Sequence, residues 1–172
     1  MFNIKVWSKM KKFLVLFMLV IYCSVNADAP SVSFEEFKKI VKVLHLDGFT
    51  LDKRLTRESD QPSYKVVYTK GMMLTLSSTL IPGKTKFNTM DMMLLKDKEK
   101  SIKDGTLLAG EEFEYKGRKA IFIRSSLGTY VSIILKNKKG LFSVNYMNLD
   151  TPETKKTLFS LVDKIDIKKL EK

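Results

Sequence analysis

His45 is the one histidine of the chain and Cys23 its one cysteine, and these two counts already narrow the chemistry. A serine–histidine nucleophilic centre needs a base beside a hydroxyl and an orienting carboxylate. Asp47 lies close to His45 in sequence, yet no Gly-x-Ser-x-Gly elbow occurs to present a serine. His45 falls at the end of a predicted helix, where the helix dipole favours it. A zinc site draws three or four ligands from cysteine, histidine and carboxylate, and the chain has too few cysteines and histidines to supply a structural one. No glycine-rich phosphate loop is present. Glu111, Glu112 and Glu114 cluster, but strand alternation puts Glu112 and Glu114 on one face, the position of ordinary solvated carboxylates. No catalytic constellation emerges, and no cofactor is expected.

Two clusters remain that bind rather than react. Met72, Met73, Met90, Met92 and Met93 crowd one stretch. Thioethers are soft ligands for copper(I), with Met90, Met92 and Met93 the candidate set. The same side chains also fill apolar cores, and Leu74, Leu76, Leu94 and Leu95 beside them favour that role. The second cluster is basic. Lys116-x-Arg118-Lys119 and Lys136-x-Lys138-Lys139 both fall in predicted turns. Alternate turns of a meander lie at the same end of a sheet, so Arg118, Lys119, Lys136, Lys138 and Lys139 are expected to form one anion- or partner-facing patch.

The elements that must position these residues are legible in part. Ser33 to Glu36 forms a capping box. Phe34, Phe37, Ile40, Val41 and Leu44 follow at helical spacing, and Asp47-Gly48 closes the helix. Phe49–Leu55 and Tyr64–Thr69 alternate as strands around the polar run 56–63, and Met72–Ile81 is a further apolar strand turned by Pro82-Gly83. Periodicity leaves 87–103 open between strand and helix. Glu111–Tyr115, Ala120–Ser125, Thr129–Leu135 and Leu141–Met147 are four strands with tight glycine-bearing turns, and so an antiparallel meander. Asp150-Thr151-Pro152-Glu153 starts a closing helix striped by Leu158, Phe159, Leu161, Val162 and Ile165. The expected fold is α+β: an antiparallel sheet, meandering in its C-terminal half, flanked by an N-terminal and a C-terminal helix on one face.

The N-terminus reads as an export signal. Lys5, Lys9, Lys11 and Lys12 precede the unbroken apolar run Phe13–Cys23, and Val25-Asn26-Ala27 offers a small-residue cleavage site. The run falls well short of the roughly 20 residues that span a bilayer, so no stable transmembrane anchor is expected. Lipidation at Cys23 is the lesser alternative, because bulky Tyr22 stands where that processing wants a small residue. The expected division is a signal peptide, 1–27, and a single domain, 28–172. That domain would contain no cysteine and no Asn-x-Ser/Thr acceptor, which favours a bacterial envelope compartment. The chain carries +12; without the four signal lysines it keeps +8. Such a domain is drawn to anionic surfaces, and after export nucleic acid is not an expected partner.

The stretch Gly110-Glu111-Glu112-Phe113-Glu114-Tyr115-Lys116-Gly117-Arg118-Lys119-Ala120, with the two following strands and the closing helix, resembles the PsbP-like and DcrB-like exported α/β/α domains. It covers about a third of the chain. The resemblance implies a non-catalytic domain that docks to an envelope or membrane complex. The sequence therefore favours an exported, non-enzymatic accessory domain, periplasmic or secreted, meeting an envelope complex or an anionic envelope surface. The alternative is a periplasmic carrier of a small ligand or copper(I).

Overall fold

A computed structural model describes residues 32–59, 63–71, 74–125, 128–147 and 153–172. The expected signal peptide, Cys23, Met72, Met73 and the cap at 150–152 lie outside these residues.

The first helix, α1 (Phe34–Val41), begins as its residues dictate. Glu36 N–H donates to Ser33 Oγ at 3.3 Å, and Ser33 N–H donates back to Glu36 Oε2 at 3.0 Å. A 3₁₀ turn at Lys42–Leu44 ends it. Then come β1 (Thr50–Leu51), β2 (Arg57–Ser59), β3 (Ser63–Lys70) and β4 (Leu74–Pro82). Next are two helices, α2 (Thr89–Lys96) and α3 (Lys98–Lys103). The open stretch 87–103 is thus helical from Thr89. The meander is β5 (Ala109–Glu114), β6 (Lys119–Ser125), β7 (Gly128–Ile134) and β8 (Gly140–Met147). Helix α4 (Glu153–Lys164) and a 3₁₀ turn at Ile167–Glu171 follow.

All eight strands join one antiparallel sheet in the order β1-β3-β4-β8-β7-β6-β5, with β2 paired to β3 beside β1. The fold is α+β with helices at both ends of the described chain, as the residue pattern implies. Two features depart from that pattern. The polar run after Leu55 contributes β2, because Arg57, Glu58 and Ser59 pair through their backbones while their side chains stay exposed. And β8 closes against β4, from Thr75↔Met147 to Pro82↔Gly140, a seam that local periodicity does not reveal. Gly140 is required there. A Cβ at this position would lie 2.6 Å from the carbonyl oxygen of Ile81, a backbone atom that cannot move aside.

The sheet's two faces are unequal. On one, Tyr64, Val66, Leu76, Leu80, Phe122, Ile133, Phe142 and Val144 pack against Phe37, Val41 and Leu44 of the first helical segment and Leu158, Leu161 and Val162 of α4. On the other, a smaller cluster centres on Leu107, Ile121 and Ile123, with Phe87, Leu95 and Tyr130 against it. Helix α2 sits over β5 here because Gly110 has no side chain; a Cβ would meet Leu95 Cδ2 at 2.7 Å. Further across, this face also carries small polar residues: Thr75, Ser77 and Thr79 on β4, and Ser132 and Ser143 on β7 and β8, whose hydroxyls lie 2.8 Å apart. No helix among the described residues is long and apolar enough to cross a membrane.

Candidate functional sites at the two ends of the sheet

The β5–β6 turn and the 3₁₀ turn before β8 lie at one end of the sheet, and Glu171 ties them together. Arg118 Nε donates to Glu171 Oε1 at 2.6 Å, Arg118 Nη2 donates to Glu171 Oε2, and the Lys136 N–H donates to Glu171 Oε1 at 2.8 Å. Arg118 Nη1 donates to the Lys116 carbonyl at 2.6 Å. The two basic turns therefore converge, but Arg118 is a correction to the expected patch. It is only 6% exposed and its fork is spent on Glu171, so it holds the turns in place instead of meeting an external anion. Hydrogen bonding to Glu171 raises the Arg118 pKa despite burial. Burial pushes the Glu171 carboxyl up, but the bonds and charges of Arg118 and Lys136 outweigh it and leave the carboxyl below its ordinary range.

Around this clamp Lys119, Lys136 and Lys138 are exposed and Lys139 is half-buried. Lys116 pairs with Asp163 at 3.2 Å, and the Tyr115 hydroxyl donates to the same carboxylate at 2.8 Å. The turns are sharply bent: Lys116, Asn137 and Lys138 have φ of 50°, 55° and 57°, in the left-handed region that non-glycine residues seldom enter. Such strain persists only where the surroundings over-determine it, and the Glu171 clamp does so here. The Pro82-Gly83 turn reaches the same end, because Gly83 N–H donates to the Lys139 carbonyl at 3.2 Å. That brings Lys84 near the cluster, which sequence spacing had not suggested.

The opposite end holds a cavity of about 340 Å³ between α2 and the second sheet face. Its floor is the cross-strand row Ile123–Tyr130–Asn145. Its roof is Met90, Asp91 and Leu94, with Thr106 and Ser125 beside them. Asp91 is 5% exposed. The Tyr130 hydroxyl donates to Asp91 Oδ1 at 2.6 Å. Burial, then that bond and the carboxylate's charge, push the Tyr130 phenol far above its ordinary pKa, so it stays a donor. Asp91 Oδ2 and Asn145 Oδ1 are buried without a hydrogen-bond partner among the described residues. Of these residues the sequence singles out Met90, as a candidate thioether ligand, and gives no role to Asp91, Tyr130 or Asn145. The only signal was a carboxylate inside the apolar run Met90–Leu95.

The other expected residues separate. Met90 and Met93 are 67% and 60% exposed on successive turns of α2. Met92 projects roughly 200° around the helix axis from Met90, at about 100° per residue. The helix therefore does not bring the three thioethers to one point. His45 is exposed and edge-on to Tyr68, with ring centroids 5.9 Å apart. Glu112 and Glu114 are exposed, and Glu111 pairs with Lys155. No protein-family model, no curated protein and no solved structure matches this chain.

Proposed function

We propose that the protein is an exported, non-catalytic accessory domain of the bacterial envelope that docks on an anionic envelope surface through its lysine-bearing sheet end. The observation that carries this reading is the convergence of two lysine turns on one carboxylate, Glu171, which fixes their backbone. Holding Lys119, Lys136, Lys138 and Lys139 on a pre-bent scaffold reduces the ordering entropy of binding. The export-type N-terminus, the excess of basic residues and the resemblance of Gly110–Ala120 to exported docking domains support the same reading. Each lysine near an anionic membrane surface contributes about 1 kcal/mol, screened by salt.

Sedimentation with vesicles of phosphatidylglycerol and of phosphatidylcholine tests it. The protein is expected to pellet with the anionic vesicles at low ionic strength, to be released by salt, and to ignore the neutral ones. The combined variant Lys119→Glu, Lys136→Glu, Lys138→Glu and Lys139→Glu should stay in the supernatant. Binding that survives these four reversals, or that salt does not weaken, would overturn the assignment.

A further inference from the structure

The opposite end of the sheet presents the reverse chemistry. A buried carboxylate is stable only when its oxygens find donors, and an unpartnered acceptor is costly, the more so when charged. Tyr130 supplies one donor, to Asp91 Oδ1. Among the described residues Asp91 Oδ2 and Asn145 Oδ1 have none, and none of those that line the cavity is cationic. The hydroxyls of Ser78 and Thr129 are likewise without partners among the described residues, but neither lines this cavity. A ligand that matched this wall would bring hydrogen-bond donors and one positive charge. Met90, Leu94 and Ile123 give the wall an apolar stretch, and exposed Met90 marks the way in.

We propose that this cavity binds a small organic amine, its ammonium group held by Asp91 Oδ2 and Asn145 Oδ1 and its hydrocarbon part lying against Met90, Leu94 and Ile123. An ammonium offers three donors and a charge in one group. The cavity's size falls within the range of small-molecule sites, and is about ten times the share of one water molecule in the liquid. A bare metal ion fits less well. Calcium takes six to eight oxygens, whereas this wall offers one free carboxylate oxygen, one amide oxygen and hydroxyls among thioether and hydrocarbon. The site is separate from the lysine turns, so it stands or falls independently of them.

Titration calorimetry with the full-length protein tests this, using 2-phenylethylamine and n-butylamine against their neutral counterparts 2-phenylethanol and n-butanol. At least one amine should bind, with its alcohol weaker by about tenfold or more, the range of a charge-assisted hydrogen bond. Asp91→Asn keeps an acceptor for the Tyr130 hydroxyl while removing the charge, and it should erase the preference for amine over alcohol. Leu94→Trp leaves the carboxylate in place but fills the cavity, and should abolish amine binding; thermal unfolding confirms that both variants fold. Failure of both amines to bind, equal affinity for amine and alcohol, an unchanged preference in Asp91→Asn, or unchanged binding in Leu94→Trp would each overturn the assignment. So would displacement of the amine by calcium chloride, which would make the site inorganic.

Discussion

The two ends of this sheet treat a buried carboxylate in opposite ways. At the lysine end Glu171 accepts from Arg118 twice and from the Lys136 backbone. At the other end Asp91 accepts from Tyr130, and its second oxygen has no partner among the described residues. Both side chains are largely removed from water, so desolvation does not distinguish them. The difference lies in who supplies the donors. Where the fold supplies them all, the charge is architecture and nothing is left to bind. Where the fold withholds some, the deficit describes a ligand. Counting satisfied and unsatisfied atoms thus separates a structural carboxylate from a binding one more sharply than exposure or net charge does.

The comparison can be broken at its strongest point by removing the Glu171 carboxylate. Glu171→Ala should cost about 3–5 kcal/mol in urea unfolding, because it strands the Arg118 guanidinium in a buried site. A loss under about 1 kcal/mol, the range of a surface pair, would mean that the clamp is solvated and the ends are not so different. Gly110→Ala acts on the other end and should be milder, about 1–3 kcal/mol. Its Cβ displaces the Leu95 side-chain tip and lifts α2, so it should distort the amine cavity while leaving vesicle binding unchanged. If both functions fall together, the ends are coupled.

The finest test is the acid limb of stability. The folded Glu171 carboxyl titrates below its ordinary 4.5, so its contribution is present in full above about that pH. It is lost as pH falls through the depressed folded value. Urea midpoints of the wild type and of Glu171→Gln should therefore converge as pH drops below 4.5 and stay apart above it. A constant gap would show that the carboxylate's charge plays no part in the clamp.

Much of the architecture was legible because it is written locally. Ser33 and Glu36 cap a helix within one turn of each other, and glycine-bearing turns of a few residues make the meander. The apolar stripe from Leu158 to Ile165 identifies the closing helix. What escaped depends on distant residues. Nothing near Arg118 distinguishes it from Lys119; its fate is set by Glu171, 53 positions on. Asp91 meets Tyr130 across 39 positions. Helix α2 is ambiguous for a related reason, since Met92 to Leu95 is an unbroken apolar run in which periodicity does not separate helix from strand. Side-chain type is visible in a sequence, as the methionines show, but the angle at which Met92 leaves the helix relative to Met90 requires the helix itself.

The seam between β4 and β8 bears on how the molecule reaches its fold. Strands β5 to β8 zip up through successive short connections, and so do β3 and β4, whereas Leu76 must find Tyr146 across the whole helical excursion. Loop-closure entropy makes that pairing the slow one. The described residues that line the amine cavity, however, all fall between Met90 and Asn145, on one side of the seam. It can be complete before the seam shuts. Any occupant would then stabilise the folding transition state nearly as much as the finished protein, and would act by speeding folding more than by slowing unfolding.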